Sequence, residues 1–217
     1  IVSRVLFRGR SNSLKLMIDF LEFSRPFHLT CTLTFSHKGT GAYSADSERP
    51  GVAAAKQGLT AKHPVVFVPG FVTTGLELWK GRDCAKKYFR QRMWGTFTMI
   101  ESMLLRGSCW MEHLSLNSTT GLDPDGIKLR PAAGLEAVDF FVGPYWVLGK
   151  LIEAFGDIGH DSNQVSVVAH DWRLAFDKSQ VRDSVFSKLR TAIELAVNTS
   201  GGTKFGEVVV FCAVESE

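Results

Sequence analysis

The sequence predicts an α/β fold in which a parallel sheet is covered by helices. Three observations predict it. Val65–Val68, Val165–Ala169 and Glu207–Phe211 are short, valine-rich apolar runs, the pattern of strands buried on both faces. Between the second and third of them, Ser179–Asn198 places Val181, Val185, Phe186, Leu189, Ile193, Ala196 and Val197 on one face of a helix. Strand, helix, strand in that order is the connection between parallel neighbours.

Composition agrees. The 217 residues are 45% apolar and 22% charged, a mix that buries a core and makes one domain or a large part of one. A net charge of +3 does not argue for nucleic acid as a partner and mildly suits an anionic membrane surface. No run of about 18 apolar residues marks a spanning helix. The chain starts at Ile1, so a targeting signal or membrane anchor upstream of it is not legible. The cysteines Cys31, Cys84, Cys109 and Cys212 form no C-x-x-C pair and read, by spacing alone, as free thiols. No metal site is expected. Sequons at Asn117 and Asn198 agree with a secretory or lumenal compartment, although such triplets also arise by chance.

Taken in order, residues 1–48 are the hardest to organise. Leu14–Phe23 has helix-like spacing, His28–Phe35 alternates like a strand, and Lys38–Ala55 turns to the small and polar residues of a linker. Val65–Val68 then runs into Pro69-Gly70, a strand stopped by a turn. Tyr88–Leu105 carries helix-spaced Phe89, Met93, Phe97 and Ile100, with Gly95 as its weak point. It fits an amphipathic helix packed on the domain, or one lying on a bilayer. Leu122–Arg130 is turn chemistry, Asp-Pro followed by Asp-Gly. Asp139–Gly156 reads as a helix with Pro144 in its first turn, Gly156 at its end, and a stripe at 147, 148, 151, 152 and 155.

Two clusters offer chemistry. In an open parallel sheet, ligands bind outside the carboxyl ends of the strands, where Pro69-Gly70-Phe71 lies. Backbone N–H groups there can stabilise a developing oxyanion, or the turn can be a purely structural strand end. After the second strand comes His170-Asp171-Trp172-Arg173. Asp171 beside Arg173 reads as a structural ion pair rather than a catalytic acid. His170 and Asp171 point to opposite faces of a strand, which rules out a local dyad.

With these residues in view, the chain resembles phospholipid:diacylglycerol acyltransferases, membrane-bound relatives of lecithin:cholesterol acyltransferase. The resemblance is carried by HPVVFVPGFVTTGLELW, Cys84, FRQRMWG, Cys109-Trp110, LNSTTGLDPDGIKLR, DFFVGPYWVLGKLIE, HDWRLAF and VRDSVFSKLRTAIEL, in that order from about Arg49 to about Lys204. It implies an α/β-hydrolase fold, incomplete here, with a lid or cap region at about residues 80–110. It implies that Phe71, after Gly70, supplies an oxyanion-hole N–H. It implies a lid disulfide between Cys84 and Cys109, hence an oxidising compartment, and lipid contact at Trp94. Asp171-Trp172-Arg173 matches the family's Y-D-W-R motif, a structural element near the acyl site, with His170 in place of tyrosine.

The implied activity is transfer of a fatty acyl group from phospholipid to diacylglycerol, making triacylglycerol at the lumenal face of the endoplasmic reticulum membrane without a cofactor. The alternatives are a phospholipase A-type hydrolase and a non-catalytic lipid-surface fragment. One departure stands out. The family places its nucleophile in a serine turn after the third strand, and no G-x-S-x-G occurs in this chain. Val208–Phe211 is followed by CAVESE, in which Ser216 lacks the flanking small residues. The expectation is an N-terminal part of the acyltransferase domain over 49–204, inactive alone and prone to aggregate. Residues 1–48 would be linker or translated non-coding sequence, and 205–217 a divergent tail.

Overall fold

The computed structural model describes residues 4–10, 13–20, 27–34, 48–142, 145–199 and 209–212, with the backbone alone in the first three stretches and the last. In chain order the elements are β1 (Arg4–Arg10), β2 (Ser13–Phe20), β3 (Phe27–Thr34), α1 (Pro50–Lys56), β4 (Val65–Val68), β5 (Leu76–Lys80), a 3-10 turn (Asp83–Tyr88), β6 (Arg92–Trp94), α2 (Phe97–Leu114), β7 (Lys128–Pro131), α3 (Glu136–Asp139), α4 (Gly149–Asp157), β8 (Val165–Val167), α5 (Phe176–Asp183), α6 (Val185–Thr199) and β9 (Val209–Cys212). Ser216 and Pro144 lie outside the described residues.

The expected parallel sheet is present. β4 is its central strand, flanked by β8 and β9, and both pairings are parallel. Successive side chains of a strand point to opposite faces. Val66 therefore packs with Val168 against Val185, Leu189 and Ile193 of α6. Val65 and Phe67 face the other way, with Val165, onto Leu151, Ile152 and Phe155 of α4. Burial on both faces explains why β4 is a continuous apolar run rather than an alternating one.

A second, antiparallel sheet in the order β6-β5-β7 is closed by α2 around Leu76, Leu78, Tyr88, Met93, Ile127 and Leu129. Trp172, from the loop after β8, packs against this second core and joins the two sheets. The segment expected as a lid is thus a small sheet-and-helix unit with its own core. A third, antiparallel sheet has the order β1-β2-β3.

Several expected boundaries are corrected. Of Leu14–Phe23, the described residues Leu14–Phe20 are not helical, since Ser13–Phe20 is a strand paired on both edges, and residues 21–23 lie outside the described residues. Leu14, Leu16, Ile18 and Phe20 recur at the strand period, with Lys15, Met17 and Asp19 between them. The linker reading of Lys38–Ala55 overlaps α1, which starts with Pro50 in its first turn. A Cβ on Gly51 would lie 2.5 Å from the Ala154 carbonyl oxygen, so only glycine lets α1 seat this closely on α4.

Tyr88–Leu105 is not one helix. Arg92–Trp94 pairs with β5, Gly95 turns the chain at φ +91°, and the helix begins at Phe97. Asp139–Gly156 is likewise interrupted: Phe140 bridges to Trp146, and the helix starts only at Gly149. Ser179–Asn198 is two helices, broken where Ser184 adopts a left-handed φ of +55°. The Gln180 side-chain oxygen accepts from the Phe186 and Ser187 N–H groups and caps the second helix. The break turns Val181 out to solvent, away from the apolar face.

Candidate active site

β4 delivers the chain to Pro69-Gly70 at the carboxyl edge of the parallel sheet. Phe71 and Val72 form the turn that follows, and Phe71 is 59% exposed. Its ring meets that of Trp172 edge-on at 5.2 Å. Val72 sits at φ +56°, unusual for a β-branched residue. Two side chains hold the turn. The Thr73 hydroxyl donates to the Gly70 carbonyl oxygen at 2.9 Å, and the Trp94 indole N–H donates to the Val72 carbonyl oxygen at 2.9 Å.

Trp94 was expected at a lipid-contacting lid. The structure places it half-buried, with its ring 4.9 Å from Trp172 and 5.2 Å from Phe141, as a support beneath the turn. Three residues far apart in sequence, Phe71, Trp94 and Trp172, thereby form one aromatic group. The arrangement presents backbone donors at an open strand end, as stabilisation of a carbonyl oxyanion requires.

Behind Trp172 lies a buried charge network. Asp171 is fully buried and accepts two guanidinium hydrogen bonds from Arg173, at 2.9 and 2.6 Å, and one from Arg182 at 2.7 Å. Asp123 receives Arg173 at 3.0 Å, Arg182 at 3.1 Å and Arg130 at 2.6 Å. Asp183 pairs with Arg182 at 2.6 Å. Burial pushes the Asp171 carboxyl up, but Arg173 and Arg182 outweigh it and hold it below the usual carboxylate range. The ion-pair reading of Asp171 and Arg173 is the geometry found, and the network fixes the loop that carries Trp172. Burial lowers the His170 imidazole, against a smaller opposing effect of Asp171, and its Nδ1 has no partner among the described residues.

Cys84 and Cys109 are joined by a disulfide that ties the 3-10 turn to α2. His113 lies beside it. Its Nε2 accepts from the Arg82 N–H at 3.0 Å, and its Nδ1 contacts the Cys109 carbonyl oxygen at 2.6 Å, which puts the proton on Nδ1. The two sulfurs and one His113 ring nitrogen lie within 4.8 Å of one another, a metal-like grouping. The sulfurs are bonded to each other and both ring nitrogens are committed, so the grouping does not fit a metal. An open cavity of about 670 Å³ is lined by Lys80, Arg82, Asp83, Cys84 and Glu112 but not by the Phe71 turn. The candidate chemistry lies at the strand end, outside this hollow.

The sequence singles out Gly70, Phe71, Asp171, Trp172 and Arg173, and Trp94 as a lipid contact rather than as a support of the turn, but does not single out Thr73, Asp123, Arg182 or Asp183. Asp123 was visible as turn chemistry only. Arg182 and Asp183 carried no signal inside an expected helix, because what matters is the chain they meet across the fold.

The fold and the site define an α/β protein whose candidate chemistry sits at the carboxyl ends of parallel strands. The chain belongs to the lecithin:cholesterol acyltransferase family, whose profile matches residues 88–211. It is 49% identical over 156 residues to "Phospholipid:diacylglycerol acyltransferase 1" of Arabidopsis thaliana, covering 71% of this chain and 23% of that protein. It is 44% identical over 151 residues to "Phospholipid:diacylglycerol acyltransferase" of Schizosaccharomyces pombe, covering 70% and 24%. The protein so named in Saccharomyces cerevisiae is 40% identical over 163 residues, covering 70% and 25%. The chain thus spans about a quarter of the length of these curated relatives.

Proposed function

We propose that the protein carrying this chain is an O-acyltransferase with an α/β-hydrolase fold. It moves a fatty acyl group from a phospholipid to diacylglycerol, giving triacylglycerol and a lysophospholipid. The observation that carries the reading is the Pro69–Thr73 turn at the end of the central strand, in a chain 49% identical to a protein with that name. In this reading the Phe71 N–H receives the charge that develops on the ester carbonyl oxygen. The family's serine turn is not among these 217 residues, which contribute the oxyanion side of the site.

We further infer that the protein works at the lumenal face of the endoplasmic reticulum membrane. The Cys84–Cys109 disulfide supports an oxidising compartment, and both sequon asparagines, Asn117 and Asn198, are exposed. Exposed Phe97, Leu104, Leu105 and Met111 on α2 support contact with a lipid surface.

The test supplies microsomes expressing the complete gene with phosphatidylcholine labelled in its sn-2 acyl chain, plus diacylglycerol. Labelled triacylglycerol with equimolar lysophospholipid is expected. Labelled free fatty acid in its place would show a hydrolase. Absence of all three products above a vector control would leave lipid-surface binding without catalysis and overturn the enzymatic reading.

A further inference from the structure

We propose that Thr73 is a positioning residue for the oxyanion donor, with Trp94 as its second support. The proposal rests on the acyl-transfer reading above. The Phe71 N–H and the Gly70 carbonyl belong to one peptide unit, which is planar and trans, so the two groups point in opposite directions. A hydrogen bond that fixes the carbonyl therefore aims the N–H. Thr73 makes that bond, with its hydroxyl 2.9 Å from the Gly70 oxygen. The Phe71 N–H itself donates to no acceptor among the described residues.

The residue types fit this role. Gly70 lacks a Cβ, which leaves the peptide free to rotate. The Thr73 hydroxyl removes that freedom. An amide whose oxygen accepts a hydrogen bond is also polarised, and its N–H becomes a stronger donor. Val72 holds a left-handed φ of +56°, a conformation that a valine keeps only when its surroundings impose it. The Trp94 indole N–H on the Val72 carbonyl, at 2.9 Å, is such an imposition. The carbonyls on either side of Phe71 are thus each held by a side chain, one from the turn itself and one from β6.

The clamp predicts an effect on the transition state rather than on substrate binding. In the full-length protein, Thr73→Val removes the hydroxyl at nearly constant shape. It should lower kcat for acyl transfer about tenfold, less than the hundredfold or more for loss of a whole oxyanion donor, with KM for the phospholipid changed by less than about twofold. A phosphonate lipid, which mimics the tetrahedral intermediate, should lose affinity by the same factor, while a non-hydrolysable ether phospholipid should not. Thr73→Ser restores the hydroxyl and should recover the rate to within about threefold. Trp94→Phe keeps an aromatic ring, though a smaller one, loses the N–H, and should resemble Thr73→Val. An active wild type with an undiminished Thr73→Val variant would overturn this inference alone, as would equal losses for the phosphonate and ether lipids. A wild-type protein without acyl transfer would overturn it together with the proposed function.

Discussion

Replacing Arg182 with methionine tests whether the network behind Trp172 holds the site loop by charge balance. In the described residues three carboxylates, Asp123, Asp171 and Asp183, face three guanidiniums, Arg130, Arg173 and Arg182. Arg182 reaches all three carboxylates, at 3.1, 2.7 and 2.6 Å. Arg182→Met keeps an unbranched apolar stem in place of the arginine methylenes but leaves three carboxylates against two guanidiniums, with Asp171 fully buried. Removing one partner of a buried ion network costs about 3–5 kcal/mol. The double variant Arg182→Met/Asp183→Asn restores the balance and should regain about 1–3 kcal/mol of that loss. Asp171 is held low in the fold, so its contribution is present above the unfolded carboxylate pKa and is lost as pH falls below it. The gap between wild type and Arg182→Met should therefore narrow below about pH 4. Urea unfolding of the full-length protein followed by tryptophan fluorescence reads all of this, because Trp172 adjoins the network. A single-variant loss under about 1 kcal/mol, or a double variant no better than the single one, would refute the argument from charge balance.

Two further outcomes follow from the same geometry. Cys84→Ser with Cys109→Ser opens a loop of sequence separation 25 and should lower stability by about 3 kcal/mol, read as a urea midpoint under non-reducing conditions; an unchanged midpoint would show that α2 is held by its core alone. His170 is lowered in the fold, so the folded state resists its protonation, and stability present above the unfolded pKa declines as pH falls below about 6.5. His170→Phe should lose less stability than wild type between pH 7.5 and pH 5.5, and parallel pH profiles for the two proteins would rule this out.

Much of the fold was legible because burial writes itself into periodicity. β4 and β8 lie where the apolar runs predicted them, since a strand covered on both faces must be apolar throughout. The stripe on α6 was legible for the same reason. Boundaries were not. Gly95, the Phe140–Trp146 bridge and Ser184 each interrupt a stretch whose apolar spacing continues across the break, so spacing alone joined what the backbone separates.

What the sequence determined by itself is the parallel sheet, the Pro-Gly strand end at its carboxyl edge and, through long motifs in a fixed order, the family. These depend on neighbours in the chain: runs, periods and turn residues. The tertiary structure alone decided that Trp94 turns inward beneath Val72, that Thr73 holds the Gly70 carbonyl, and that Asp123 and Arg182 complete the charges around Asp171. Asp123 and Arg182 stand 59 positions apart, and Trp94 and Val72 stand 22 apart. Such contacts are set by how the two sheets meet, and no local pattern of residues encodes that meeting.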